Sequence, residues 1–267
     1  MELPRTIGET PRLRVLDEAT STNDVLAGFV VSGNEPSLST VLTLNQTSGR
    51  GRLGRVWVAP KDRALAVSVL VRPELPAANS SGPFPYGWIP LLAGAAICES
   101  LDALVLDGRT GLKWPNDVQI DGRKVCGVLA ELVPSGDAVI VGSGINLSLT
   151  GDELPVPTAT SLLLAGVSEE GDELVDSVVS RYLATLAELV DRLQAAGGDA
   201  VRSGIHRVVS EWCRTIGSEV RVSLPGGADL YGTATGIDPG GRLLVRDRSA
   251  GNTRAVAAGD VTHLRYE

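Results

Sequence analysis

Segment 45–57, Asn45-Gln46-Thr47-Ser48-Gly49-Arg50-Gly51-Arg52-Leu53-Gly54-Arg55-Val56-Trp57, interleaves arginine with glycine in a chain whose formal net charge is −8. Guanidinium forks match phosphate oxygens, glycine lets a loop close on its ligand, and a tryptophan nearby can stack on a base. Adenosine phosphate fits that combination. A solvated basic loop would account for the arginines but not for the glycines. The letters also satisfy G-x-G-x-x-G, but a dinucleotide fingerprint opens a helix, whereas Arg55 to Pro60 reads as extended chain, so that class is excluded.

Three further segments carry chemistry-bearing residues. Thr20-Ser21-Thr22-Asn23-Asp24 precedes an apolar helical pattern; its side chains either cap that helix or offer hydrogen bonds to a polar head group. Gly111-Leu112-Lys113-Trp114-Pro115-Asn116-Asp117 sets a lysine among large apolar neighbours. That lysine either snorkels to solvent or faces an anion, because an unpaired buried ammonium is costly. In Val139-Ile140-Val141-Gly142-Ser143-Gly144-Ile145-Asn146, alternation puts Gly142, Gly144 and Asn146 on one strand face. Two glycines there suggest close approach of a ligand or another backbone.

The elements that must position these residues follow from periodicity. It predicts strands near 12–17, 39–45, 64–72, 112–114, 117–121, 124–133 and 138–148, and helices over 22–32, 88–106, 171–198 and 199–213. Residues 73–87, rich in Pro, Ser and Gly, read as a surface loop, and the first element read is the strand near 12–17. After Gly217 short alternating strands with glycine turns suggest a small β-barrel. The expected organisation is an α+β domain over 1–214, with a mixed, largely antiparallel sheet and packed helices, and a barrel over 215–267.

Composition excludes several classes. Charged residues make up 21% and hydrophobic residues 43%, ordinary for a globular chain, and no apolar run reads as a membrane span. The N-terminus lacks the basic-then-apolar order of a secretory signal, which implies the cytoplasm. Net acidity argues against nucleic acid as a partner. Cys98, Cys126 and Cys213 are too scattered for a disulfide framework or zinc site and read as buried thiols. His206 and His263 have no partner pattern and are expected to be structural or exposed.

Taken in order, the S-T-N entry, the Q-x-x-G-R-G-R-x-G-R-x-W loop, the K-W-P-N-D turn and the G-x-G-I-N strand resemble the biotin protein ligase family across nearly the whole chain. The resemblance implies a class II aminoacyl-tRNA-synthetase-like catalytic domain, an SH3-like C-terminal barrel, and ATP-dependent transfer of biotin to a lysine of a biotin carboxyl carrier domain of acyl-CoA carboxylases, by a monomer or weak homodimer. Mg²⁺ would arrive with ATP. It further implies that Ser21, Thr22, Asn23, Gln46, Gly49, Gly51, Gly127, Gly142 and Gly144 border biotin. Arg50, Arg52 and Lys113 would act on both carboxylate and phosphate, and Arg55, Trp57, Asn116, Lys124 and Asn146 would serve ATP or the adenylate. Arg50, Arg52 and Lys113 are the expected catalytic residues. Leu53 stands where some members carry arginine, and fewer than twenty residues precede the first matching strand, which predicts no DNA-binding domain. A lipoate or octanoate ligase or transferase, or a biotin sensor without turnover, are the alternatives.

Overall fold

The computed structural model describes residues 1–74, 84–105, 108–224, 227–257 and 259–264. In chain order the elements are α1 (Pro4–Glu9), β1 (Leu13–Leu16), α2 (Thr22–Ser32), β2 (Thr40–Thr43), β3 (Gly49–Arg50), β4 (Val56–Trp57), β5 (Ala64–Val71), α3 (Ile89–Val105), β6 (Thr110–Lys113), β7 (Asp117–Ile120), β8 (Arg123–Leu132), β9 (Val139–Asn146), α4 (Gly171–Ala195) and α5 (Ile205–Trp212). The strands β10 (Glu219–Ser223), β11 (Asp229–Ile237), β12 (Leu243–Asp247), β13 (Thr253–Val256) and β14 (Asp260–His263) complete it. Most of the loop expected over 73–87 lies outside the described residues.

A seven-stranded sheet in the order β1-β2-β5-β9-β8-β7-β6 forms the body, antiparallel except for β1 with β2. Alternation along its central strands sorts the two faces. Val67, Val69 and Val71 of β5 and Val139, Val141 and Ile145 of β9 enter the main core against α3 and α4, while Leu70 and Ile140 meet Leu26 of α2 on the opposite face. Between them Ser68, Gly142 and Gly144 leave that second face open, and the cleft forms there. The α+β class and mixed, largely antiparallel sheet read from periodicity are present. A separate five-stranded antiparallel sheet, β13-β12-β11-β10-β14, contains the C-terminal strands.

Three expectations change. Tyr86–Val105 is long and apolar enough to cross a membrane by length and composition, contrary to the sequence reading, yet most of it is buried inside the protein. It is the central core helix, packed on the sheet and α4, where each fully buried Leu or Ile contributes about 1.5–3 kcal/mol. The helix expected over 199–213 starts only at Ile205. Asp199 accepts from the backbone N–H groups of Val201 and Arg202, and Gly204 at φ +76 turns the chain first. Helix α1 was not expected at all, because its acceptor is remote: the buried Asp176 of α4 accepts from the N–H groups of Arg5 and Thr6 and from the Thr6 hydroxyl.

Two tryptophans of the main body hold the second sheet by its β11–β12 turn. Trp88 Nε1 donates to Pro239 O at 3.0 Å and Trp114 Nε1 to Gly241 O at 3.1 Å. Asp238 shapes that turn by accepting from Gly240 N and Arg242 N. The three cysteines are free and buried, as composition predicted.

Candidate active-site cleft

The cleft has a volume of about 310 Å³ and opens on the sheet face that β5 and β9 leave bare. At one end is a polar wall. Ser21 caps α2 by accepting from Asp24 N, and Thr22 and Asn23, almost fully buried, turn inward. The Thr22 N–H donates to Gln46 Oε1 at 2.9 Å, which orients the Gln46 amide and leaves its Nε2 over Gly49. A Cβ on Gly49 would stand 2.4 Å from both Gln46 Nε2 and Trp57 O, so only glycine allows the β3–β4 hairpin to sit this close. Ser68, the sole polar residue of the β5 run, contacts Asn23 Oδ1 at 2.6 Å and Thr22 Oγ1 at 2.7 Å from below.

The floor is β9. A Cβ on Gly142 would lie 2.3 Å from Asn23 Oδ1, and one on Gly144 would lie 2.5 Å from the Trp57 indole. Close approach is therefore the reason for both glycines, and Trp57 itself covers Gly144. Asn146 continues the same face but stands outside the lining, its Nδ2 donating to Thr160 O at 2.9 Å. Gly49 likewise supports the wall without lining the cleft, whereas Gly51 and Gly127 line it.

The centre is cationic. Arg50, Arg52, Arg55, Lys113 and Lys124 line the cleft with a single carboxylate, Asp117, among the described lining residues. The β6–β7 pair sets Lys113 opposite Asp117, and Lys124 Nζ meets Asp117 Oδ1 at 2.7 Å, passing over the bare Gly127. Burial pulls the Lys113 pKa below its ordinary value, opposed by Asp117 and reinforced by Lys124 and Arg55. A desolvated ammonium crowded by cations is a group that an arriving anion would stabilise.

The arginines differ. Arg52 Nη1 donates to Asn116 Oδ1 at 2.8 Å and Nη2 to Gly259 O at 3.5 Å, both neutral oxygens, and burial lowers its pKa. Arg50 instead donates a bidentate fork to Asp24 and also reaches Glu131. Those carboxylates hold its pKa well above the ordinary guanidinium value. Leu53 at φ +57 and Gly54 at φ +75 turn the loop between β3 and β4, and Leu53 is exposed.

Sequence reasoning missed Asp24 and Glu131, the acids that engage Arg50, as well as Ser68, Val261 and Thr262. The isolated hydroxyl in ALAVSVLV was a usable signal for Ser68. Val261 and Thr262 of β14 line the cleft from the C-terminal sheet, and no local pattern marks them. The histidines stay out of the cleft: His206 Nε2 bonds Ile237 O, and the buried His263 Nε2 bonds Thr215 Oγ1.

A polar head pocket, a band of cations and an adjacent indole on a mixed sheet define a protein that holds a polar small molecule beside a polyphosphate. Residues 15–148 match the biotin/lipoate A/B protein ligase family, and residues 215–264 match the biotin protein ligase C-terminal domain. The chain belongs to the biotin/lipoate A/B protein ligase family. It is 37% identical over 257 residues to a biotin–[acetyl-CoA-carboxylase] ligase of Mycobacterium tuberculosis, covering 95% of this chain and 90% of that protein. It is 32% identical to the enzyme of that name from Paracoccus denitrificans, covering 77% and 83%. The biotin protein ligase of Aquifex aeolicus, solved in complex with biotin and ATP, superposes with a TM-score of 0.72 at 25% identity over 94% of this chain and 98% of that one.

Proposed function

We propose that the chain is a biotin protein ligase, which forms biotinyl-5′-AMP from biotin and ATP and transfers the biotinyl group to a lysine of a biotin carboxyl carrier domain. The observation that carries this is the pairing of the Thr22–Gln46 wall with the cationic side chains of Arg52, Arg55, Lys113 and Lys124 in one cleft of an otherwise acidic protein. A carboxylate oxygen of biotin attacks the α-phosphorus of ATP, the bond to pyrophosphate breaks, and a mixed anhydride forms. In the second step the neutral ε-amine of the acceptor attacks the anhydride carbonyl, AMP leaves, and the amine loses a proton. The difficulty of the first step is bringing two anions together, which fixed charges relieve.

Lys113 and Lys124, held on either side of Asp117, are the groups we assign to that task. Arg52 is the arginine we assign to the phosphate and to retention of the intermediate, since its partners are neutral oxygens and it gives up little to bind an anion. Trp57 is assigned to the adenine. Ser21, Thr22, Asn23 and Gln46 are assigned to the polar rings of biotin, with Gly142 beneath. Mg²⁺ enters with ATP as part of that substrate; among the described residues no group of three or more His, Cys, Asp or Glu is set to hold a metal ion.

Residues 1–214 are read as a class II synthetase-like catalytic domain and 215–267 as an SH3-like barrel, a reading supported by the return of β14 to pair with β10. Val261, Thr262 and the Gly259 carbonyl support a role for that second domain in completing the nucleotide site. Three buried free thiols support a reducing compartment, the cytoplasm.

The deciding experiment is pyrophosphate exchange into ATP by the purified chain with biotin, lipoate or octanoate offered separately. Exchange with biotin alone is expected. Exchange with lipoate or octanoate in its place would move the substrate within the family, and no exchange with any acid would refute acid activation.

A further inference from the structure

One charged cluster at the cleft is not used by the chemistry above. Arg50 Nη1 donates to Asp24 Oδ2 at 2.5 Å, and Nη2 donates to Asp24 Oδ1 at 2.7 Å and lies 3.2 Å from both oxygens of Glu131. Glu131 Oε2 also accepts from Asn23 Nδ2 at 2.6 Å. Asn23 Oδ1 accepts only, so the single proton of Ser68 goes to it and Ser68 in turn accepts from Thr22 Oγ1. The Thr22 N–H then holds Gln46 Oε1. A chain of hydrogen bonds thus runs from Arg50 on β3, through Glu131 of β8, Asn23 of α2, Ser68 of β5 and Thr22 of α2, to the Gln46 amide at the head-group wall.

We propose that Arg50 is a positioning residue whose clasp with Asp24 and Glu131 sets the affinity for the head group of the acid substrate, and that it is not a ligand of the transferred phosphate. The clasp rests on the reading of the cleft as a biotin and ATP site. Two carboxylates more than neutralise the guanidinium, so the cluster carries net negative charge and repels a phosphate. To reach one, Arg50 would abandon a bidentate fork and its contacts with Glu131. Staying in place, it ties β3 to the start of α2 and to β8, which fixes the distance between Gln46 and Thr22. The three charged side chains are each two-fifths to one-half exposed, so each bond taken singly is weak and the network acts through geometry.

The two roles predict opposite results for Asp24→Asn and Glu131→Gln. If the clasp positions the wall, each variant raises the biotin Kd by about 3- to 10-fold, leaves the ATP KM within twofold and keeps the thermal midpoint of the wild type. Arg50→Lys, which cannot form the fork, shifts biotin affinity in the same direction. With biotinol as probe, which lacks the carboxylate, raising salt weakens binding to the wild type and not to the Asp24→Asn, Glu131→Gln double variant. If Arg50 serves the phosphate, freeing it lowers the ATP KM or slows adenylate release, and either result overturns the clasp. Unchanged biotin affinity in folded variants overturns it as well. A wild-type chain that binds no biotin would overturn the functional reading itself, and the clasp with it.

Discussion

Substituting Gly144 by alanine tests the assignment of Trp57 with little else disturbed. The new methyl would stand 2.5 Å from Trp57 Cε2 and 2.6 Å from Cζ2, where carbon atoms normally keep about 3.5–4.0 Å, so the indole must retreat by about 1 Å. The backbone cannot follow, because Gly49 pairs with Trp57 in the β3–β4 hairpin and already lies against its carbonyl. The ring therefore rotates away from its seat. Overpacking of this kind costs about 1–3 kcal/mol, and the low end applies to a half-buried ring on a surface hairpin, a fall of about 2–4 °C in Tm. Loss of a stacked aromatic contact is worth about 0.5–1.5 kcal/mol, so the ATP KM should rise about 2- to 12-fold with the biotin KM nearly unchanged. Initial-rate pyrophosphate exchange at varied ATP and biotin measures both. In a Trp57→Ala background the methyl has nothing to strike, and Gly144→Ala should add almost nothing. An unchanged ATP KM in the folded single variant, or a rise confined to biotin, would refute the adenine assignment.

Other consequences follow from the same geometry. Lys113→Ala should cut adenylate formation about 10²- to 10³-fold, the usual cost of removing one preorganised charge, while biotin still binds; near-normal exchange would exclude it from the step. Arg52→Ala should release biotinyl-adenylate into solution, detected by modification of free amines or unrelated proteins, whereas full retention would return that role to Arg50 or another group. Burial lowers the His263 pKa from 6.5 to about 4. The unfolded chain binds this proton more readily than the folded one, so stability should fall as pH drops from about 6.5 toward 4, by about 3 kcal/mol in all. A His263→Gln variant should lose that portion of the pH dependence in denaturant titrations; an identical profile would contradict it.

How much of this was legible beforehand depends on the range of each interaction. Motif residues contiguous in sequence were readable because their types answer to local chemistry: glycines where chains approach closely, arginines beside them, and a hydroxyl before a helix. Alternation in β9 put Gly142 and Gly144 on one face, and the structure supplies their opposing atoms, Asn23 and Trp57. By contrast, nothing around Arg50 in the sequence signals that Asp24 and Glu131 neutralise it, since the partners lie 26 and 81 residues away. The difference between Arg50 and Arg52, two residues apart with the same side chain, arises from what each meets across the cleft.

The sequence by itself determined the main strands and longer helices from β1 onward, the alternation of the strands and the four segments that carry polar and cationic groups, because periodicity and turn chemistry act over a few residues. Tertiary structure alone decided that Arg50 meets two carboxylates while Arg52 meets neutral oxygens. It also decided that an apolar helix fills a core, that Asp176 caps a helix some 170 residues away, and that β14 of the C-terminal sheet walls the cleft. Those outcomes depend on desolvation and on contacts between distant segments, and both exist only once the chain has closed on itself.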